Sequence, residues 1–226
     1  MVQNIELDIR QVWADNALVR LPGYLIAVCG FDGSGKTTQI ERLAKRLTDE
    51  GKHVIVTRQP TNWYRQNPEV RAYLDSGRNI DAKYLALLAA ADRRRHVQDV
   101  ITPALTAGKW VICDRYVYSS FAYFSARGVD VSFVQNINID VPKPDLSIYL
   151  DVHVEILLAR LKARDGENLK FEERSLATVE HVIEVYQRLC NQNDQLTRID
   201  GNADVEHVES QIAELAYKAK RKRDVL

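Results

Sequence analysis

The chain has 226 residues, which is enough for one sizeable hydrophobic core and too few for two full domains. Its 31 Lys and Arg residues balance its 31 Asp and Glu residues, and a net charge of zero excludes a general electrostatic attraction to nucleic acids or membranes. The three cysteines, Cys29, Cys113 and Cys190, are odd in number and widely spaced, so neither a disulfide framework nor a zinc site is predicted.

We predict no export signal at the amino terminus, because Glu6 and Asp8 stand where such a signal has basic and then apolar residues. No apolar run approaches the ~20 residues that a helix needs to cross a bilayer. We therefore expect a cytoplasmic protein without a membrane partner. Residues 1–22 precede the first predicted strand and are interpreted as an N-terminal extension, and residues 23–226 as one domain.

The first predicted element is the apolar run Tyr24–Cys29, which is typical of a strand buried in a parallel sheet. It leads into Gly30-Phe31-Asp32-Gly33-Ser34-Gly35-Lys36-Thr37-Thr38, which fits the phosphate-loop pattern of Gly, four residues, Gly-Lys and then Ser or Thr. The glycines let backbone amides turn toward one anion, while Lys36 adds a mobile positive charge and Thr37 a hydroxyl for Mg²⁺. Helical spacing over residues 38–49 completes the expected context, so we predict a site for ATP.

The remaining apolar runs predict a sheet whose strands alternate with helices. The further predicted strands are His53–Thr57, Trp110–Cys113, Leu146–Leu150 and Leu196–Ile199. The predicted helices are Glu69–Leu74, Ala82–Leu105, Val154–Tyr186 with an interruption at 164–168, and a last one after the fifth strand, while Trp63–Asn67 is interpreted as irregular. Five strands in this alternation are typical of an α/β protein with a doubly wound parallel sheet that helices cover on both faces.

Charged residues follow the carboxyl ends of the predicted strands. The phosphate loop follows the first strand, Arg58 the second, and Asp114-Arg115 the third. Ligands of doubly wound sheets bind at these ends, so we expect one cleft that contains all three groups. The arginines indicate a kinase that brings an acceptor phosphate to the terminal phosphate of ATP, because two polyanions approach each other only with positive charge between them.

Several motifs occur in one order along the chain. They are Phe31-Asp32-Gly33-Ser34-Gly35-Lys36-Thr37-Thr38, Thr57-Arg58-Gln59-Pro60, Ala91-Asp92-Arg93, Asp114-Arg115-Tyr116 with Ser119-Ser120-Phe121-Ala122-Tyr123, and Lys143-Pro144-Asp145-Leu146. In these motifs the chain resembles the thymidylate kinase family of nucleoside-monophosphate kinases, from about Tyr24 to Ile212. The resemblance implies a phosphate-loop kinase fold, ATP-dependent phosphorylation of dTMP to dTDP, Mg²⁺ as cofactor, and a homodimer.

The resemblance also implies roles for the phosphate loop and for the end of the third strand. Lys36 and the loop amides would hold the ATP phosphates, and Thr37 and Asp114 would lie at the metal. Asp32 would contact the 3′-hydroxyl of the acceptor sugar, and Arg115 would bridge donor and acceptor. The implied ATP-binding residues are Gly30, Phe31, Asp32, Gly33, Ser34, Gly35, Lys36, Thr37 and Thr38.

Acceptor binding is assigned by the same resemblance. Arg93 would grip the acceptor phosphate, and Arg71 would add a second contact if one residue is inserted before it. Ser120 would face the thymine, and the ring of Tyr123 would pack against the deoxyribose and disfavour a 2′-hydroxyl. The expected acceptor-binding residues are Asp32, Arg58, Arg71, Arg93, Arg115, Ser120 and Tyr123.

A basic lid is expected over about residues 160–172. One branch of the family carries an arginine after the acidic residue of the phosphate loop, whereas here Gly33 follows, as in the other, mostly bacterial branch, where the lid supplies the arginines. Arg160, Arg164 and Lys170 would provide this charge. A cation that reaches the transferring phosphoryl group only on lid closure also excludes water as an acceptor. The expected catalytic residues are Asp32, Lys36, Arg115 and Arg164.

The chain departs from the family on the acceptor side. Ala89 stands where the family has the phenylalanine that stacks on thymine, Gln59 stands where Glu is common, and Pro60-Thr61-Asn62-Trp63-Tyr64 replaces the usual Pro-Gly-Gly-Thr. Losing a base stack costs ~1–3 kcal/mol unless another ring covers the base. Candidates for that ring are Trp63, Tyr64 and Phe121. The competing hypothesis is an enlarged pocket for a bulkier or 5-substituted base.

Other functions are weighed against this one. A kinase for another pyrimidine or modified deoxynucleoside monophosphate is the alternative that Ala89 motivates. A nucleotide switch that binds GTP lacks support, because the chain has no Asn-Lys-x-Asp guanine signature. An ATPase that handles nucleic acid could use Arg93–Arg95 and the basic tail Lys218–Arg223, but the net charge of zero and the lack of interleaved aromatic residues argue against it. The tail is interpreted as a solvated helix end.

Overall fold

A sheet of five parallel strands lies at the centre of the computed structural model, which describes residues 12–13, 21–192 and 195–225. The strands are β1 (Tyr24–Cys29), β2 (Val54–Arg58), β3 (Trp110–Asp114), β4 (Leu146–Asp151) and β5 (Thr197–Asp200). Their order across the sheet is β2-β3-β1-β4-β5. The register pairs Ile26 of β1 with Ile112 of β3 on one side and Leu146 of β4 on the other. The predicted five-stranded α/β fold is therefore confirmed.

Helices cover both faces of this sheet. They are α1 (Lys36–Asp49), α2 (Asn62–Arg65), α3 (Pro68–Ser76), α4 (Ala82–His96), α5 (Thr102–Thr106), α6 (Val117–Ala126), α7 (Val131–Asn136), α8 (Val154–Asp165), α9 (Leu176–Gln192) and α10 (Val205–Val225). Leu25 and Ala27 of β1 pack in the core layer that contains α4, α6 and α9. Tyr24 and Ile26 pack in the layer that contains α1 and α10. Because side chains alternate across a strand, burial on both faces makes β1 a continuous apolar run.

The predicted helix Ala82–Leu105 is wrong as a single α-helix. After α4 a π-helical turn spans Val97–Ile101, and α5 follows. Pro103 has no N–H to donate and would break an α-helix in its interior. In the wider turn the N–H of Thr102 bonds to the carbonyl of Val97, and Pro103 falls in the first turn of α5, where no donor is needed.

The segment Trp63–Asn67, interpreted as irregular, instead begins within α2. The hydroxyl of Thr61 caps this helix by accepting the N–H of Trp63 at 3.2 Å. The backbone N–H of Thr61 in turn donates to the carboxylate of Asp92, on α4, at 2.7 Å. The short helix is thus fixed by a residue far away in the sequence, and no local periodicity could indicate it.

One helix was not predicted, and another is divided differently from the prediction. The sequence does not predict α6, because Val117–Ala122 is buried on every side and shows no amphipathic period. The predicted helix Val154–Tyr186 was expected to be interrupted at 164–168, but the gap between its two parts is longer: α8 ends at Asp165 and α9 begins at Leu176. Between α8 and α9 lies only a short 3₁₀ turn, Phe171–Arg174, and α9 continues to Gln192.

Four residues of the predicted N-terminal extension are described, at positions 12, 13, 21 and 22, and the first two of them pack against the domain. Val12 is fully buried, and the Nε1 of Trp13 donates to Gln195 at 2.6 Å while its ring lies 5.7 Å from that of Tyr118. The boundary at residue 22 stays a prediction. Among the helices of the described residues, none combines the length and apolar character that a membrane span requires.

Candidate active site

The phosphate loop has the backbone that its glycines predict. Gly30, Gly33 and Gly35 lie at φ values of 151°, 84° and 89°, which favour glycine. Lys36 begins α1, and its Nζ donates to a carbonyl oxygen of the loop at 2.8 Å. Burial, together with the charge of Arg115, lowers the pKa of Lys36 to about 8. A bound phosphate would add the counter-charge that favours the protonated amine, so the loop suits an anionic ligand.

Asp32 is the point at which cations from three parts of the chain meet. Its Oδ1 accepts from Nη2 of Arg115 at 2.6 Å, and its Oδ2 accepts from Nζ of Lys170 at 2.5 Å. The Nζ of Lys36 lies 3.9 Å away. Burial by itself raises the pKa of Asp32, but the charges of these three residues hold it well below its usual range. Asp32 is therefore ionised and ties the lid to the phosphate loop.

A polar cavity, here called the loop cavity, opens beside the phosphate loop. Its charged lining comprises Lys36, Arg58, Arg65, Arg115, Arg160, Arg164 and Lys170 with Asp32 and Asp114. The three predicted lid residues are thus brought to the loop, and Nη1 of Arg160 donates to the carbonyl of Gly33 at 3.2 Å. Arg164 forms an ion pair with Asp165 at 2.6 Å. The excess of positive charge suits a polyphosphate.

Thr37 and Asp114 line the loop cavity, and their oxygen atoms are of the type that Mg²⁺ prefers. The Oδ1 of Asp114 is buried and has no hydrogen-bond partner among the described residues, as expected of an atom that awaits a ligand. Within those residues, no group of three or more His, Cys, Asp and Glu side chains could hold a metal. The residues present therefore fit a Mg²⁺ ion that arrives with nucleotide phosphates and takes few protein ligands.

A second cavity, here called the inner cavity, extends from Asp32 between α4, α6 and the lid. Its lining comprises Asp32, Gln59, Pro60, Tyr64, Arg65, Leu74, Ala89, Arg93, Arg115, Tyr116, Ser119, Ser120, Tyr123, Phe124, Arg127, Lys170 and Glu172. Among these are five of the predicted acceptor residues: Asp32, Arg93, Arg115, Ser120 and Tyr123. The sequence motifs thus converge on one cavity next to the phosphate loop.

Two predicted acceptor residues lie outside the inner cavity. Arg58 lines the loop cavity and its Nη2 donates to Asn62 at 2.5 Å. Arg71 forms an ion pair with Asp75 one turn further along α3, where both side chains are about half exposed. The contact of Arg71 with an acceptor phosphate stays a prediction that this position does not support.

Arg93 is buried, with an exposed fraction of 3%, and its guanidinium is surrounded by neutral acceptors. Its Nε donates to Oε1 of Gln59 at 2.9 Å and its Nη2 to Oγ of Ser120 at 2.8 Å, while Nη1 donates to Oδ1 of Asn138. Burial lowers the pKa of Arg93. No carboxylate of the described chain pairs with it, so its charge is available to an electron-rich group in the inner cavity.

The orientation of Arg93 depends on a chain of hydrogen bonds through Gln59. Since Oε1 of Gln59 accepts from Arg93, its Nε2 must donate to Nδ1 of His96, which lies 3.0 Å away. His96 then carries its proton on Nε2, 2.7 Å from the hydroxyl of Thr57. Burial lowers the pKa of His96, in agreement with a neutral ring. His96 therefore acts as a support for the amide that holds Arg93.

Replacing Gln59 with glutamate is expected to raise the pKa of His96 above its unfolded value near 6.5, because an anionic neighbour favours the charged imidazole. In the parent the lowered pKa means that His96 reduces stability as the pH falls below 6.5. In Gln59→Glu the sign reverses: the charged ring stabilises the fold at low pH, and that contribution is lost as the pH rises through the new pKa.

An NMR titration of the His96 ring in both proteins measures this shift. Gln59→Met is the matched control, since it changes the side chain without adding charge. An equal upward shift in Gln59→Met would contradict the electrostatic explanation.

The structure separates the three rings that the sequence offered as a cover for the base. Tyr64 is buried, with an exposed fraction of 6%, and lines the inner cavity together with Ala89. Trp63, by contrast, is 47% exposed and does not line the cavity, and Phe121 is fully buried in the core. Of the three rings considered from the sequence, Tyr64 is therefore the one in position to cover a base.

Sequence reasoning missed an ion pair in the lining of the inner cavity. Nε and Nη2 of Arg127 donate to the two carboxylate oxygens of Glu172 at 2.7 and 3.0 Å, and both side chains are buried. The hydroxyl of Tyr73 also donates to Glu172 at 3.1 Å. Arg127 directly follows α6 and Glu172 lies in the lid, so only the tertiary fold brings them together.

Comparisons with known proteins agree with this geometry. The family model described as thymidylate kinase matches residues 28–212. The chain is 39% identical over 197 residues to a probable thymidylate kinase of Pyrococcus horikoshii, covering 85% of this chain and 95% of that protein. It is 36% identical over 184 residues to a thymidylate kinase of Staphylococcus epidermidis, covering 79% and 90%. A Latilactobacillus sakei thymidylate kinase is 37% identical over 209 residues, covering 87% and 96%. The chain therefore belongs to the thymidylate kinase family of nucleoside-monophosphate kinases.

Proposed function

We propose that this kinase transfers the terminal phosphoryl group of ATP to dTMP and releases dTDP and ADP. The observation that carries the proposal is the wall shared by the two cavities, since Asp32, Arg115 and Lys170 line both. An oxygen of the acceptor phosphate attacks the terminal phosphorus of ATP, and the bond from that phosphorus to ADP breaks. Such a transfer needs positioning and positive charge more than covalent catalysis, and this wall supplies both.

In the proposed complex the base lies at Arg93 and the phosphate at Arg115. Support comes from the lining: Arg93 borders only the inner cavity, whereas Arg115 borders both cavities. This position favours Arg93 as a partner of the base over its expected contact with the acceptor phosphate. Tyr123 stacks on Phe31 at 5.8 Å between ring centroids and its hydroxyl accepts from Arg115 at 2.9 Å. A ring held at that point leaves little room for a 2′-hydroxyl, so a deoxynucleotide is favoured.

The cofactor and partners follow the same reasoning. We propose that Thr37 and Asp114 hold Mg²⁺, which when bound with ATP neutralises charge on the phosphate oxygens. A homodimer is proposed from the family resemblance, and the exposed apolar residues Tyr84 and Leu87 on α4 are consistent with a contact between two copies. A cytoplasmic location without a nucleic-acid partner rests on the composition.

An acceptor panel tests the assignment of the base. We expect dTMP to be preferred at least tenfold in kcat/KM over dUMP, dCMP, dGMP and 5-hydroxymethyl-dUMP, which corresponds to about 1.4 kcal/mol in transition-state binding. In Ala89→Phe we expect weaker use of dTMP, because the added ring enters a cavity already walled by Tyr64 and Phe124. Coupled ADP release measures both proteins.

The second candidate is a kinase for a larger or 5-substituted pyrimidine deoxynucleotide, and Ala89 is the observation that favours it. In that case the parent would prefer another acceptor to dTMP by tenfold or more, and Ala89→Phe would shift preference toward dTMP. This result would overturn the thymidylate assignment and leave the kinase assignment in place.

A further inference from the structure

Arg65, which no motif singled out, lies at the junction of the two cavities. It is the last residue of α2, it is half-buried, and it lines both the inner cavity and the loop cavity. Its Nε donates to the carbonyl oxygen of Pro60 at 2.8 Å. This bond fixes the plane of the guanidinium and leaves both Nη atoms for another partner. In the described chain no carboxylate forms an ion pair with it.

Arg65 lies near other positively charged side chains, and this arrangement favours the binding of an anion. Burial and the charges of Arg115 and Arg58 lower its pKa, and the carboxylates Asp32 and Asp114 oppose this only in part. A guanidinium kept beside two others repels them unless negative charge lies between them. Arg65 is thus an arginine whose counter-charge the described protein does not provide.

The other candidate cations are already engaged or wrongly placed. Arg93 is held by three neutral acceptors deep in the inner cavity, and Arg71 pairs with Asp75 outside it. Arg115 uses Nη2 for Asp32 and Tyr123, but its Nη1 is buried with no hydrogen-bond partner among the described residues. Arg65 and Arg115 therefore remain as the two arginines that line both cavities.

We propose that Arg65 binds the phosphate of the acceptor nucleotide, together with Arg115, which lines the same two cavities. This inference rests on the proposed function and adds a residue to it. Two arginines at one phosphate can satisfy several of its oxygens with charge-assisted hydrogen bonds. One acceptor oxygen stays free to attack the terminal phosphorus of ATP as the bond to ADP breaks, and the electron pair of that bond leaves with ADP. Arg65 neither gives nor takes a proton in this step.

The test compares an acceptor with and without its phosphate. In calorimetric titrations, Arg65→Gln should bind dTMP at least tenfold more weakly than the parent and bind thymidine within twofold of it. Arg65→Lys should lie between them for dTMP, because it keeps the charge and loses the planar fork. Arg95→Gln is the matched control: Arg95 lies on the exposed face of α4, pairs with Asp99 and lines neither cavity, so dTMP binding should not change.

Several outcomes would overturn the inference. These are dTMP binding by Arg65→Gln at parental strength, an equal loss for dTMP and thymidine, and a loss for ADP instead of dTMP. If Arg65→Gln fails to fold in a thermal melt, the ratio of dTMP to thymidine affinity in Arg65→Lys decides, and a parental ratio counts against the inference. Failure of the proposed function has a different signature, because the parent would then favour another monophosphate, and the same comparison would be made with that nucleotide and its nucleoside.

Discussion

Replacing Lys36 with alanine is expected to reduce turnover by about three orders of magnitude or more while the protein stays folded. Lys36 is almost completely buried at the phosphate loop, where Nζ donates to a loop carbonyl and lies 3.9 Å from Asp32. Its charge is therefore mobile toward a phosphate, where charge on the transferring group must be neutralised. The fold should persist, because the variant removes a buried cation whose desolvation already lowers its pKa to about 8.

Steady-state ADP release, read beside a thermal melt, measures this effect. Lys45→Ala is the matched control on the same helix, since Lys45 is exposed and pairs with Asp49. Its turnover should match that of the parent. Near-normal turnover in a folded Lys36→Ala protein would remove phosphate-loop chemistry from the proposed function.

Arg115→Ala is expected to lower kcat by about 100-fold or more, whereas Arg93→Ala should mainly raise the KM of the acceptor. The difference follows from position. Arg115 lies on the wall between donor and acceptor, and its backbone at φ 65° is a strained conformation for a residue with a side chain. Arg93 borders only the inner cavity, so its contacts form with the bound acceptor and change little during the transfer.

Separate kcat and KM values for dTMP measure the two effects. Arg94→Ala is the control for Arg93, because it lies next along α4 and its side chain is exposed, at a carbonyl of Asp140. An unchanged acceptor KM in Arg93→Ala with a raised KM in Arg94→Ala would show that the register assigned to α4 is wrong. A purely KM effect in Arg115→Ala would contradict its role in the transition state.

Local signals were enough to predict the sheet and the phosphate loop. A strand buried on both faces is a continuous apolar run, and positive φ values at Gly33 and Gly35 require the residue type that the motif contains. Helices held by distant partners were not predictable in this way. The cap of α2 depends on Asp92, and the division between α4 and α5 depends on how the helix accommodates Pro103.

The same distinction between local motifs and tertiary contacts applies to the residues of the candidate site. Motif residues such as Asp32, Arg93 and Arg115 could be recognised from the sequence. The burial of the Arg93 side chain in the inner cavity, however, depends on how α4 packs beside α6. Arg65 and the Arg127–Glu172 pair belong to no motif. Their importance arises from contacts between segments far apart in the chain, which spacing and periodicity do not record.

The short segment Lys170–Glu173 has a consequence for how the protein can change over evolution. Lys170 pairs with Asp32 of the phosphate loop, and two residues later Glu172 pairs with Arg127 in the lining of the inner cavity. Because Lys170 lines both cavities, a replacement of Lys170 is pleiotropic: it alters the surroundings of the donor and of the acceptor together. A replacement of Lys170 that favours a new acceptor would also change the ATP side of the site. Tyr64 and Ala89 line the inner cavity and not the loop cavity, so replacements there can change the base preference without altering ATP binding.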